Sequence, residues 1–170
     1  MTKKKLEGER KAEYPPFMFG YGILPAIFAK IQDQEVPDIF SHDYLRYTLG
    51  FSRESDRAFI PLARRIGLLM SNGKPADLYH EMRKPRQLPA VLANALHNGY
   101  PSLYARNAIA HELERKSLIP LVAEVTGLDV GHATARAIVG TFLTLKILAY
   151  PQPPVERVAN RRKTSERRYN

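Results

Sequence analysis

Residues 40–75 read FSHDYLRYTLGFSRESDRAFIPLARRIGLLMSNGKP, and the order of signals in this stretch decides the fold. Ser41 is a good N-cap, and Phe40 before it can pack on Leu45 as a hydrophobic staple. Gly50 then supplies a stop after about two turns of helix. Phe51 and Ser52 form the turn, with Ser52 as the next N-cap. The following helix runs from about Arg53 to Ile66, with Ala58, Phe59, Leu62, Ala63 and Ile66 as its apolar stripe. Arg53, Arg57 and Arg64 fall on the other side. Pro61 removes one hydrogen bond, which predicts a bend in mid-helix, and Gly67 closes the element. Leu68-Leu69-Met70 then meets Asn72-Gly73, a strong signal for a type I′ β-hairpin with Lys74 near its tip. Short helix, tight turn, longer helix and hairpin are the parts of a winged helix-turn-helix, in the order it needs them.

Working outward, YPPFMFGYG (14–22) is extended, because Pro15 and Pro16 forbid a helix there. A first helix follows with Pro25 in its opening turn and Leu24, Ile27, Phe28 and Ile31 on one face. Beyond the hairpin, a helix from about Ala76 to Arg83 carries Leu78, Tyr79 and Met82. Val91, Leu92, Ala95 and Leu96 make the face of another helix, stopped by Asn98-Gly99. A polar helix is expected at about Ala105–Arg115, and Ser117 can cap a short helix ending near Thr126-Gly127. A long helix then covers about Gly131 to Ala149, apolar on most sides, with Val139, Leu143 and Ile147 beside Ile138, Phe142 and Leu145. Such a helix is either central or shared with another subunit. Its Arg136-Ala137-Ile138-Val139 aligns with Arg57-Ala58-Phe59-Ile60, as two similar modules would. The expected fold is therefore mainly α: tandem helix-turn-helix-like modules at 14–87 and 88–150, the first with a small hairpin wing. Residues 1–13 and 151–170 are expected to be disordered, basic and polar.

The same residues resemble an uncharacterised prokaryotic family, domain of unknown function 5343. The resemblance lies in YPPFMFGYGILPAIFAKIQ, VPDIFSHDYLRYTLGFSRESDRAFIPLARRIGLL, NGKPADLYHEMR and GHATARAIVGTFLTLKILA, and covers about residues 14–149. Its most specific parts are Leu49-Gly50-Phe51, Asp56-Arg57, Phe59-Ile60-Pro61, Gly73-x-Pro75 and Tyr79. Ala76 departs from it, standing where the pattern favours a capping threonine. The resemblance implies a helical fold of helix-turn-helix character and supplies no activity, cofactor or catalytic residue.

The chain has 170 residues, 44% of them apolar, enough for one domain or two small ones packed together. No apolar run approaches the ~18 residues of a membrane span, and no apolar segment follows the basic start as in a signal peptide. With no cysteine, disulfides and thiol chemistry are excluded, and a cytoplasmic location is expected. The net charge of +9 is unevenly placed. Residues 1–13 hold five basic and three acidic side chains, residues 151–170 six and two, and residues 46–86 nine and four. The positive potential thus sits in two ends and in the segment that opens this reading.

Arginine offers forked donors that suit guanine edges and phosphate oxygens. Arg53, Arg57 and Arg64 are thus candidates to face DNA, with Ser41, His42 and Arg46 near phosphates and Lys74 on the wing. The bland alternative is a solvated face in which Arg57 pairs with Glu54 or Asp56. Lys74, with Arg83, Lys84 and Arg86, either extends the contact or solubilises a loop. Arg161, Arg162, Lys163, Arg167 and Arg168 are candidate tail contacts that add affinity without specificity. The five histidines are scattered. His111-Glu112 lacks a second histidine at 115, so the HExxH zinc pattern fails. No catalytic constellation, metal site or cofactor motif is found. The expectation is a non-catalytic DNA-binding protein, regulatory in use. The alternative is a protein-interaction or oligomerisation module, with a homo-oligomer forming through the 131–149 helix.

Overall fold

The computed structural model describes residues 13–152. The expected disordered ends at 1–12 and 153–170, with the candidate contacts Arg161, Arg162, Lys163, Arg167 and Arg168, lie outside the described residues. A 3₁₀ turn at Tyr21–Ile23 feeds α1 (Leu24–Asp33), whose first turn holds Pro25. A missing N–H costs nothing there. Leu24, Ile27, Phe28 and Ile31 are all buried, as their spacing requires.

Ser41 opens the next element as expected, its Oγ accepting from Tyr44 N at 3.1 Å. The winding differs from an ordinary helix. Tyr44–Thr48 form a π turn, with Leu49 N donating to Tyr44 O at 3.0 Å. Gly50 ends it with φ +84°, a conformation open to glycine. Phe40 packs on the rings of Tyr44, Phe59 and Tyr79, with Leu45 in the same core.

The expected helix from Arg53 to Ile66 divides in two: a 3₁₀ segment at Glu54–Ala58, then α2 (Phe59–Arg65). The α-helix starts at Phe59, so Pro61 lies among its first residues, whose N–H groups have no intrahelical partner. A change of winding thus replaces the bend. Ser52 is not the cap. The Asp56 carboxylate accepts from Arg53 N at 3.0 Å, and Asp56 is buried.

The wing is also corrected. A type I′ turn needs positive φ at both central residues, yet Gly73 (φ +85°) has one and Asn72 does not. Gly73 N instead closes a turn on Met70 O, Met70 N bonds Lys74 O, and Asn72 Oδ1 holds Lys74 N. The result is a three-residue loop with one antiparallel bridge, Leu69 to Pro75. Among the described residues there is no β-strand.

After α3 (Asp77–Met82) and a 3₁₀ turn at Pro85–Gln87 comes α4 (Leu88–Gly99). It ends at Gly99, as expected, and both Asn98 and Gly99 face the end of α2. Asn98 Nδ2 donates to Ile66 O at 3.3 Å, and a Cβ on Gly99 would stand 2.8 Å from Ile66 Cγ2. Pro101 forces the break by pushing Tyr100 out of helical geometry (φ −123°, ψ 44°). The expected polar helix at 105–115 does not form. α5 (Pro101–Arg106) ends early, and Asn107 Oδ1 takes Ile109 N, a local bond that competes with helix. A 3₁₀ turn at Ala110–Glu112 follows. In α6 (Arg115–Thr126) Ser117 lies inside the helix, after Glu114 at the cap, and Gly127 (φ +72°) closes it.

Finally, α7 (Ala133–Ala149) is capped by His132, whose Nδ1 accepts from Thr134 N. This helix is central. It packs on α1, α4, α6 and the 3₁₀ turn at Tyr21–Ile23, which uses most of its apolar perimeter inside the chain. The Thr141 hydroxyl donates to Ala137 O and accepts from Met18 N at 3.1 Å, pinning the extended segment to it. Tyr100 Oη donates to Pro16 O at 2.7 Å, and burial pushes its phenol well above the ordinary value. A single cluster of buried side chains runs from Met18 to Ala149, so the described residues are mainly helical around one core.

Candidate nucleic-acid interface

Two local devices build the candidate surface. The Ser41 cap starts the π turn and orients His42 and Arg46. The Asp56 cap fixes the 3₁₀ entry and orients Arg53 and Arg57. Gly50 reverses the chain between them, so the two pairs share one cleft of about 140 Å³. Leu45 and Phe51 give it an apolar floor, while Asp43 and Glu54 join the arginines on its walls. Ser41 accepts at its cap and does not line the cleft.

The electrostatics favour an incoming anion. Arg57 pairs with Glu54 at 3.3 Å, as the bland reading foresaw, but both side chains are largely exposed. Such a pair is worth at most about 1 kcal/mol and yields to a better partner. Arg46 lies 5.2 Å from the centroid of the Tyr47 ring, which holds the guanidinium without neutralising it. Arg46, Arg53, Arg64 and Lys74 make no ion pair among the described residues.

Arg64 stands apart from Arg53 and Arg57. A Cβ on Gly73 would lie 3.8 Å from its Nη2, so Arg64 sits beside the 70–74 loop with Lys74. The apolar Ile39 and Met70 are exposed at the same loop. The three arginines therefore form two clusters instead of one reading face. Arg83 is withdrawn from any surface role: half-buried, it donates to Gln34 O at 2.7 Å. Lys84 and Arg86 stay exposed. Arg65, which sequence reasoning passed over, is tied to Tyr14 O and to Glu13.

A second polar cluster carried no sequence signal, because its members are 53 positions apart at the extremes. His97 stacks on Tyr104 with centroids 3.9 Å apart, and His111 stacks on Tyr150 at 4.6 Å. Tyr104 Oη and His111 Nδ1 are buried with no hydrogen-bond partner among the described residues. Burial, and then the neighbouring Tyr150, push the Tyr104 phenol up to about 12. A hollow of about 340 Å³ lies beside His111 and Tyr150, and one of about 350 Å³ beside the Arg106–Glu124 pair.

Among the described residues, no three His, Asp or Glu side chains lie close enough to hold a metal ion. No helix there is long and apolar enough to cross a membrane. The cleft, with its turn between two capped elements, gathers three arginines and a histidine. The chain belongs to the family of unknown function DUF5343, whose family model matches residues 16–151. No curated protein and no solved structure matches it.

Proposed function

We propose that this protein binds DNA without catalysing a reaction on it, from a cytoplasmic location, with the elements on either side of Gly50 acting as a helix-turn-helix-like unit. The observation that carries this reading is the convergence of His42, Arg46, Arg53 and Arg57 on one cleft, where three arginines outnumber the two acids Asp43 and Glu54. Arg64 and Lys74 supply a second basic contact beside the 70–74 loop. Contacts of this kind go to phosphates, so they position the duplex and are sensitive to salt. A titration of mixed-sequence duplex at two salt concentrations tests the proposal. Failure to bind at low salt rejects it.

The second reading is self-association through the 131–149 helix. Its support is Ile147, a large apolar side chain that stays 65% exposed on the helix at the centre of the core. Light scattering across concentration separates the two, since a strict monomer removes the self-association reading and leaves DNA binding standing.

A further inference from the structure

The cleft has more donors than an internal DNA phosphate can use. A phosphodiester presents two free oxygens and one negative charge, with a nucleotide on either side that must also find room. Arg46, Arg53 and Arg57 are each forked guanidinium donors, and His42 adds an imidazole. A terminal phosphate monoester presents three free oxygens and about −1.5 to −2 charges at neutral pH. Its three oxygens match the three guanidinium forks. The shape agrees, because a recess of about 140 Å³ admits a terminal phosphate and leaves the rest of the nucleotide outside. Asp43 and Glu54 on the same walls offset part of the positive charge, so the match lies in the forked donors and not in net charge.

We infer that the cleft between His42–Arg46 and Arg53–Arg57 is a receptor for a terminal phosphate monoester, presented by the 5′ end of a DNA strand. The inference rests on the DNA-binding reading and assigns the part of the DNA that the cleft takes. Arg64 and Lys74, outside the cleft, are left for the duplex behind the end.

The test titrates the full chain with one blunt duplex prepared with a 5′-phosphate or a 5′-hydroxyl, and with a 5′-phosphorylated mononucleotide. The phosphorylated duplex is expected to bind about tenfold more tightly. Arg53→Gln and Arg46→Gln are each expected to remove that preference, weakening the phosphorylated duplex more than the 5′-hydroxyl one. Equal affinity for the two duplexes overturns the receptor and leaves DNA binding in place. A preference that survives both substitutions moves the receptor elsewhere and overturns this assignment. Saturable binding of the mononucleotide with no duplex binding upholds the cleft and rejects the DNA reading. No binding of any probe rejects both.

Discussion

Gly140, in the middle of α7, stands against the ring of Tyr21 with no room between them for a methyl group. The obstacle is the outer edge of an aromatic ring carried by a 3₁₀ turn. The turn that feeds α1 is thereby seated on the central helix, and the extended segment before it is held by Thr141.

Gly140→Ala is expected to destabilise the fold by about 2 kcal/mol, the usual cost of overpacking. Alanine's better helix propensity, about 1 kcal/mol, offsets part of a larger strain. Thermal denaturation measures the change, and Tyr21→Ala in the same chain should recover much of it. An unchanged or raised melting temperature for Gly140→Ala would contradict the packing described.

Thr141→Val keeps the shape and deletes the hydroxyl. Met18 N then loses its buried acceptor, at a cost of about 1–3 kcal/mol. Thr141→Ser, which retains the oxygen, should lose less. Denaturant titration of the two variants separates hydrogen bonding from packing, and equal losses would assign the effect to packing.

Alkaline stability should depend on Tyr104. Its phenol is raised from the ordinary 10.0 to about 12, chiefly by burial. The folded state therefore keeps a proton that the unfolded state releases, and this contribution is complete below pH 10. It is lost as pH rises from about 10 through about 12. Tyr104→Phe should make the decline across that window shallower. An unchanged pH profile in the variant would remove Tyr104 from the account.

Arg57→Ala breaks an exposed pair, so stability should move by less than about 1 kcal/mol. DNA affinity should fall on every sequence alike, and the salt slope should shrink by about one. A large loss of stability with unchanged binding would mean that the pair is structural and the arginine no contact.

Much of this architecture was legible in local residues. Gly50, Gly67 and Gly127 all adopt the positive φ that their stop signals implied, and the apolar stripes of α1 and α2 are buried as spaced. What misled were residues whose partners lie far along the chain. Asn98-Gly99 looks like a stop, and α4 does end there, but its further role as a seat for Ile66 left no trace in the spacing. Arg83 looks like a surface cation and is spent on Gln34, 49 residues away. Asn72-Gly73 looks like a two-residue turn, but the ladder passes through Gly73 alone in positive φ. For the site, the pairing of His42 and Arg46 with Arg53 and Arg57 follows from the short Gly50 turn. The separation of Arg64 depended on where the 70–74 loop folds back, which no spacing encodes.

The most direct measurement is the affinity for a mixed-sequence duplex as salt rises from 50 to 200 mM, for the native chain and the Arg53→Ala, Arg57→Ala, Arg64→Ala triple variant. Binding at low salt is predicted, weakening steeply with salt, and with a slope smaller by about three in the variant. Absence of binding at low salt, or a triple variant that binds as the native chain does, would contradict the claim that these arginines meet DNA.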